Sequence, residues 1–280
     1  ALEKGRIGGR EGTDVDSADV FRFLSIFKWE ERKGWNILAK TFFTEFYKTD
    51  KTQEDDVALV ILTNPFHLTR RQKREGESPF VFPLKEIAKE VLRERFALEG
   101  RNEDEITPED FQHLPPIIVL GYPIPMDQLP PLYKSANAFV LPSRGEGWGR
   151  PLQEAMSMGM VTIATNWSGN LAFQNTNNSL LIDVEEMEEI KEGAFRGHKW
   201  AKPSAASLAK IMRDVKTEPK AFVDLGKQAR RDMRKLYSLE AFQPVLLKEL
   251  NRIHAQNLED VRKVRKEIAA DASSSSSSSS

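Results

Sequence analysis

Residues 138–159, AFVLPSRGEGWGRPLQEAMSMG, read as a strand, a glycine-rich turn and a helix start in immediate succession. Ala138 to Leu141 is a short apolar run of the buried parallel-strand type. Gly145, Gly147 and Gly149 let the backbone turn sharply with its amides exposed, and Pro151 suits a first helical turn. Orphan amides and the positive end of the helix dipole then converge on one point, where a diphosphate is held without a metal. Glu146 in the turn and Glu154 one helical turn inside flank that point. Taken alone, the glycines make only a tight connection, and the strand before and helix after are what mark an anion site. No Gly-Lys-Ser/Thr follows, so this is not a Walker loop. The third glycine comes one residue early for a dinucleotide fingerprint.

Outward from this stretch, strand and helix patterns alternate. Strands are expected at Val20–Phe27, Val57–Thr63, Ile117–Gly121, Ala138–Leu141, Val161–Thr165 and Ser179–Val184. Helices are expected at Trp35–Lys48, Leu84–Leu98, Leu129–Ser135 and Leu152–Met158. In the first of these, Trp35, Leu38, Phe42 and Phe46 recur at helical spacing and read as core. The alternation predicts an α/β fold, a Rossmann-like parallel sheet with helices on both faces. Residues 65–82 read as an irregular insertion and Met187–Lys202 as a polar connector. Helices at Ala205–Lys216, Ala221–Tyr237 and Ala241–Ile268 follow. The expected organisation is a disordered leader over 1–17, one Rossmann-like domain over 18–240, a C-terminal helical tail over 241–272 and a disordered poly-Ser run over 273–280.

The 280 residues are 40% hydrophobic, enough to bury a full core. Lys plus Arg number 41 against 42 for Asp plus Glu, so no global basic field recruits nucleic acid or an anionic membrane, and any anion site is local. With no cysteine, disulfides, thiolate nucleophiles and cysteine metal sites drop out together. His67, His113, His198 and His254 form no ligand-spaced pair, and no metal site is expected. No apolar run reaches membrane-spanning length, and the N-terminus has no signal-peptide core. Asn166 starts an Asn-x-Ser sequon whose glycan would block the ligand edge, so a cytoplasmic location is expected. The first residues read as a mid-protein start.

Three smaller features bear on chemistry. FKWEERKG places Lys28 and Lys33 at the carboxyl end of the first strand, the edge where open α/β sheets bind ligands. Two ammonium groups there neutralise a diphosphate leaving group, as a magnesium ion does in metal-dependent transferases. The plainer reading is a solvated charge run offset by Glu30 and Glu31. Asp14-Val15-Asp16 is the carboxylate pair by which some glycosyltransferases hold a metal-bound nucleotide, but it precedes the first strand and reads as leader. Asn166-Trp167-Ser168, after the strand Val161–Thr165, is either an ordinary turn or a sugar-facing loop.

At these residues the chain resembles the donor-binding half of retaining GT-B glycosyltransferases of family four, from about Phe21 to about Leu239. PSRGEGWGRPLQEAM carries that family's Glu, seven residues, Glu spacing in Glu146 and Glu154. FLSIFKWEERKG, LGYPIPMDQLPPLYKSANAFVLPS and GMVTIATNWSGN resemble its first-strand, nucleotide-side and post-signature segments. The resemblance implies that Glu146 bonds sugar hydroxyls and orients the sugar without becoming a covalent nucleophile. It implies that the amides around Gly147, Trp148, Gly149 and Arg150 hold sugar and diphosphate, and that Glu154 accepts from the ribose. Lys28 and Lys33 would clamp the leaving diphosphate and Ile124 would lie near the base, while a sugar-facing Asn166 rests on its loop position alone. Lys28 stands where the family commonly has Arg, replacing a bidentate fork by a point charge, and Trp148 and Val161 replace a usual Phe and Pro.

The implied partner is a nucleoside diphosphate sugar with an unidentified acceptor, and no cofactor or metal is implied. GT-B enzymes also carry an N-terminal acceptor domain to which nothing here corresponds. The isolated chain is therefore expected to be half an enzyme, inactive without that domain. The alternative is a non-catalytic nucleotide-sugar-binding or scaffolding module of the same fold. A nicotinamide dehydrogenase on this architecture lacks its glycine fingerprint.

Overall fold

The computed structural model describes residues 4–10, 12, 14–65, 78–191, 193 and 195–276. In chain order the strands are β1 (Lys4–Ile7), β2 (Phe21–Trp29), β3 (Val57–Pro65), β4 (Ile117–Leu120), β5 (Ala138–Leu141), β6 (Val161–Thr165), β7 (Leu180–Ile182), β8 (Val184–Glu189) and β9 (Lys199–Pro203). The helices are α1 (Trp35–Glu45), α2 (Val81–Leu98), α3 (Leu129–Lys134), α4 (Arg150–Ser157), α5 (Ala205–Thr217), α6 (Val223–Leu236) and α7 (Leu239–Ser276). Residues 1–231 form one compact unit and 232–280 a second.

Seven strands make one sheet in the order β1-β4-β3-β2-β5-β6-β7, parallel throughout except for β1. The expected α/β architecture is therefore present. Its central strands are buried on both faces, which is why they read as continuous apolar runs: β5 is buried at all of Ala138–Leu141 and β6 at all of Val161–Thr165. Polar residues inside the sheet are tied to its backbone. Ser25 Oγ donates to the Val140 carbonyl at 2.6 Å and Thr63 Oγ1 to the Phe27 carbonyl at 2.8 Å. Of the residues expected at helical spacing, Leu38 and Phe42 are fully buried, while Trp35 and Phe46, the latter just past the end of α1, are half-buried. Phe43 is fully buried as well, and Trp35 stacks on Trp29 with ring centroids 4.5 Å apart.

Several boundaries differ from the sequence reading. The leader is not wholly unfolded: Lys4–Ile7 pairs antiparallel with β4, Ile7 facing Ile117. A four-residue edge strand with one large apolar side chain carries no alternation signal, because its pairing resides in the backbone. The polar connector Met187–Lys202 contributes to a hairpin in which β8 and β9 pair antiparallel, Glu188 opposite Trp200. Charged residues alternate irregularly with apolar ones in it, Glu186 facing Lys202 and Glu189 facing Lys199, and Lys202 also bridges Glu185 at 3.0 Å and Glu186 at 3.1 Å, so it shows no apolar period. Of the proposed insertion, residues 66–77 lie outside the described residues. After it, Phe80 is buried against Trp29, with ring centroids 5.2 Å apart, and α2 starts at Val81. The poly-Ser run is not irregular from its start, since α7 continues through Ser276. Residues 277–280 lie outside the described residues.

Candidate functional site

Read from β4, the parallel strands run β4-β3-β2-β5-β6-β7, so the chain moves outward in one direction from β2 to β4 and in the other from β5 to β7. The reversal lies between β2 and β5. At such a switch point the loops leaving the two strands diverge to opposite faces and open a crevice at the carboxyl ends. Lys33 follows β2, residues 142–149 follow β5, and residues 166–169 follow the next strand, β6. Three of the segments singled out in the sequence are thus brought to one place.

They are joined by charge. Lys33 Nζ donates to Glu146 Oε1 at 2.7 Å and Oε2 at 2.8 Å, and both residues are nearly buried, 8% and 9% exposed. Arg32 adds a second cation 3.6 Å from Glu146 Oε2, pairs with Glu30 at 2.6 Å, and donates to the Gly145 carbonyl. The backbone seam between the two loops is closed by Arg144 N–H on the Arg32 carbonyl at 2.7 Å. Here Glu146 faces Lys33, whereas the sequence reading gave them separate duties toward sugar and diphosphate. An ammonium has three donors, so Lys33 can serve Glu146 and an anion together.

The turn itself behaves as its glycines require. Gly149, at φ 93° and ψ 53°, is in the left-handed region and caps α4, whose first two residues are Arg150 and Pro151. The Gly147-Gly149 backbone therefore leads directly into a helix N-terminus. Trp148 is 37% exposed, leans on Phe173 with centroids 5.1 Å apart, and donates from Nε1 to Gln153 at 2.8 Å. Arg150 is exposed and lies 3.7 Å from Glu154. Glu154 Oε2 accepts from the Tyr133 hydroxyl at 2.8 Å, and that hydroxyl also reaches the Pro151 carbonyl at 3.3 Å. Burial, then the neighbouring Glu154 charge, push the Tyr133 phenol well above its ordinary range, so it remains a neutral donor.

The remaining candidates sit farther out. Lys28 is the penultimate residue of β2, opposite Asn64 of β3, exposed and inside the strand rather than in the loop beyond it. The strand runs two residues past its expected end. Ile124 is half-buried in the connection between β4 and α3. The Asn166 side chain is exposed, and its N–H is taken by the Ile182 carbonyl at 2.9 Å. Asn170 is the buried asparagine of that loop, donating to Thr165 O and Gln174 Oε1, each at 3.0 Å. Asp14 and Asp16 precede β2, at the opposite edge of the sheet from the glycine loop, and the Asp14 carboxylate accepts from the Asp16 N–H at 3.0 Å. Among the described residues no group of three or more His, Asp or Glu is placed to hold a metal ion. A cleft of about 710 Å³ beside α2, lined by Phe82, Lys89, Arg93 and Phe111 among others, contains none of these site residues.

Three residues the sequence reading left out belong to this place, Arg32, Tyr133 and Arg144, and Ser168, noted there only as part of a turn or sugar-facing loop, joins them. Arg144 is 5% exposed, ion-pairs with Glu188, lies 5.1 Å from the Trp200 ring, and takes the Ala201 N–H on its carbonyl at 3.0 Å. The β8–β9 hairpin thus grips the residue just before the glycine loop. Ser168 has φ 79° and ψ −158°, a region that costs a side-chain-bearing residue about 1–3 kcal/mol and is otherwise left to glycine. A serine in a turn carries no sequence signal of that strain.

The comparisons with known proteins agree with this geometry. Residues 78–196 match the family described as Glycosyl transferases group 1. This segment is similar to the group 1 glycosyltransferases. The segment includes the glycine loop, both glutamates and the β6 loop. The O-antigen chain mannosyltransferase B of Escherichia coli is 49% identical over 47 residues, 17% of this chain and 12% of that one. Among solved structures, sucrose-phosphate synthase from Thermosynechococcus elongatus superposes with a TM-score of 0.54 at 20% identity, over 86% of this chain and 47% of that one. Anabaena HepE in complex with UDP and glucose gives 0.52 at 15% identity, over 84% and 49%. The C-terminal domain of the group 1 protein LpcC from Francisella tularensis gives 0.50 at 16%, covering 83% of this chain and 96% of that domain. The chain thus spans about half the length of the two larger proteins and has the Rossmann-like half of their GT-B fold. Among its described residues no helix is long and apolar enough to cross a membrane.

Proposed function

We propose that this chain is the donor-binding half of a retaining, metal-independent glycosyltransferase that uses a nucleoside diphosphate sugar. The observation that carries the reading is the buried Lys33–Glu146 pair at the switch point, beside a helix N-terminus with a glycine-lined entrance. Amides at the start of α4 and the ammonium groups of Lys33 and Lys28 supply the positive charge that a diphosphate needs as it leaves. Glu146 is held by cations and is fit to accept from sugar hydroxyls. Its charge is compensated and its position is fixed, so it orients the sugar and is not the attacking group. Glu154, backed by the Tyr133 hydroxyl, is placed to accept from the ribose. The leaving phosphate oxygen takes the acceptor proton, so no further base is required on this half.

The acceptor belongs to a second, N-terminal domain facing the carboxyl edge of the sheet, and a cytoplasmic location goes with the same proposal. Transfer requires the acceptor within near-attack distance, so the 280-residue chain alone gives at most slow donor hydrolysis. The test is calorimetry in excess chelator against UDP, GDP and ADP and their glucose or mannose esters. Binding of at least one nucleoside diphosphate with micromolar to millimolar affinity, unchanged by added magnesium, is the expected result. Binding that appears only with magnesium overturns the metal-independent reading, and binding of none overturns the donor assignment.

A further inference from the structure

Ser168 is the sole non-glycine among the described residues with a positive φ, and its hydroxyl is fully engaged with one partner. Ser168 Oγ donates to the Glu146 carbonyl at 2.7 Å and accepts from the Glu146 N–H at 3.1 Å. The next residue repeats the grip, Gly169 N–H on the Glu146 carbonyl at 3.0 Å. Its close approach permits no side chain, since a Cβ on Gly169 would lie 2.2 Å from the Gly147 carbonyl oxygen. Both backbone polar groups of Glu146 are therefore held by the β6 loop, and its carboxylate by the β2 loop. Every polar group of this residue is thus held by a loop that follows a strand other than its own.

Serine in a backbone region suited to glycine is a standing cost, and the hydroxyl is what the cost retains. Resting on the donor reading above, we infer that Ser168 is a positioning residue: its strained backbone presents the hydroxyl that locks the Glu146 main chain and thereby aims the carboxylate at the sugar. The lock acts on the sugar end of the site. The nucleotide end, built on Glu154 and the start of α4, does not depend on it.

The experiment compares Ser168→Gly, which accepts the conformation and lacks the hydroxyl, with Ser168→Ala, which lacks the hydroxyl and keeps the strain. The probes are the nucleoside diphosphate and its sugar ester that the unmodified chain binds best in chelator. Both variants are expected to lose roughly 5–10-fold in affinity for the sugar ester and less than twofold for the bare diphosphate, and to exchange the Glu146 amide about 10-fold faster. Ser168→Gly is expected to melt about 2–4 °C above Ser168→Ala, reversing the usual cost of glycine relative to alanine. An alanine variant as stable as the glycine variant removes the strain from the argument and overturns it. So does a glycine variant that binds the sugar ester like the unmodified chain, or equal losses for both ligands. An unmodified chain that binds no member of the panel overturns the donor reading instead, and the exchange rate of the Glu146 amide then still reports whether the hydroxyl holds the loop.

Discussion

Glu146 and Glu154 are eight residues apart in the same motif, yet they inhabit different electrostatic worlds. Glu146 sits at the turn, 9% exposed, bidentate to one cation and within 3.6 Å of another, with both backbone groups tied to the β6 loop. Glu154 sits one turn into α4, half-exposed, supported by a neutral phenol and an exposed arginine 3.7 Å away. The first carboxylate is part of how three loops are joined, so its loss reaches the fold. The second is an appendage of a helix, so its loss should reach only what binds there.

The largest expected effect breaks that comparison at its charged side. Lys33→Met leaves the Glu146 carboxylate buried with its main partner gone, and one-sided removal from a buried pair costs about 3–5 kcal/mol. Denaturant unfolding of the 280-residue chain should show a midpoint shift of that size with an unchanged slope. Adding Glu146→Leu to Lys33→Met removes the stranded charge and should recover most of the loss. If the double variant is no more stable than Lys33→Met, the pair is not what joins the loops. A smaller effect comes from the backbone side. Gly169→Ala drives a methyl into the Gly147 carbonyl, and such overpacking should cost about 1–3 kcal/mol. Gly147→Ala, where a Cβ meets nothing within 4 Å, should cost far less.

How much of this was readable beforehand follows the same division. The α/β sheet was legible because β5 and β6 are buried on both faces and show as unbroken apolar runs, and because glycine at 149 is demanded by a left-handed cap. The glycine loop and its two acids were legible because local spacing carries them. What joins the loops was not. The Lys33–Glu146 pair spans 113 residues of chain, and no spacing rule connects its members. The β1 strand and the β8–β9 hairpin escaped notice because backbone pairing and charged cross-strand contacts hold them, and neither leaves an apolar period. Ser168 escaped because its backbone conformation, not its identity, makes it unusual.

Binding sharpens the comparison between the two acids. Glu154→Gln should weaken the bare nucleoside diphosphate and the sugar ester together, by about 1–3 kcal/mol, as for losing a charge-assisted hydrogen bond. Glu146→Gln should leave the bare diphosphate no weaker, because Lys33 is then freed of its carboxylate, while lowering affinity for the sugar ester. Calorimetry on both variants, with the fold verified by circular dichroism, decides it. Equal losses on the bare diphosphate would end the assignment of separate roles.

The smallest effect is the most specific to the uncharged side. Tyr133→Phe keeps the ring, which packs on Phe139 with centroids 5.9 Å apart, and removes only the donor that steadies Glu154. Losing one hydrogen bond of this kind should weaken the bare diphosphate by about 0.5–1.5 kcal/mol, in the same direction as Glu154→Gln and to a lesser degree. The pH dependence supplies a check that a packing defect would not reproduce. Burial and the Glu154 charge raise the Tyr133 phenol in the folded chain, whereas in the unfolded chain it titrates near its usual value of about 10. The neutral phenol's contribution is therefore complete below pH ~10 and is lost as pH rises past it, because the unfolded chain releases the proton first. The stability difference between the unmodified chain and Tyr133→Phe should stay flat from pH 6 to about 9 and shrink above about 10. A difference that already varies across neutral pH would mean that the phenol is not the buried neutral donor behind Glu154.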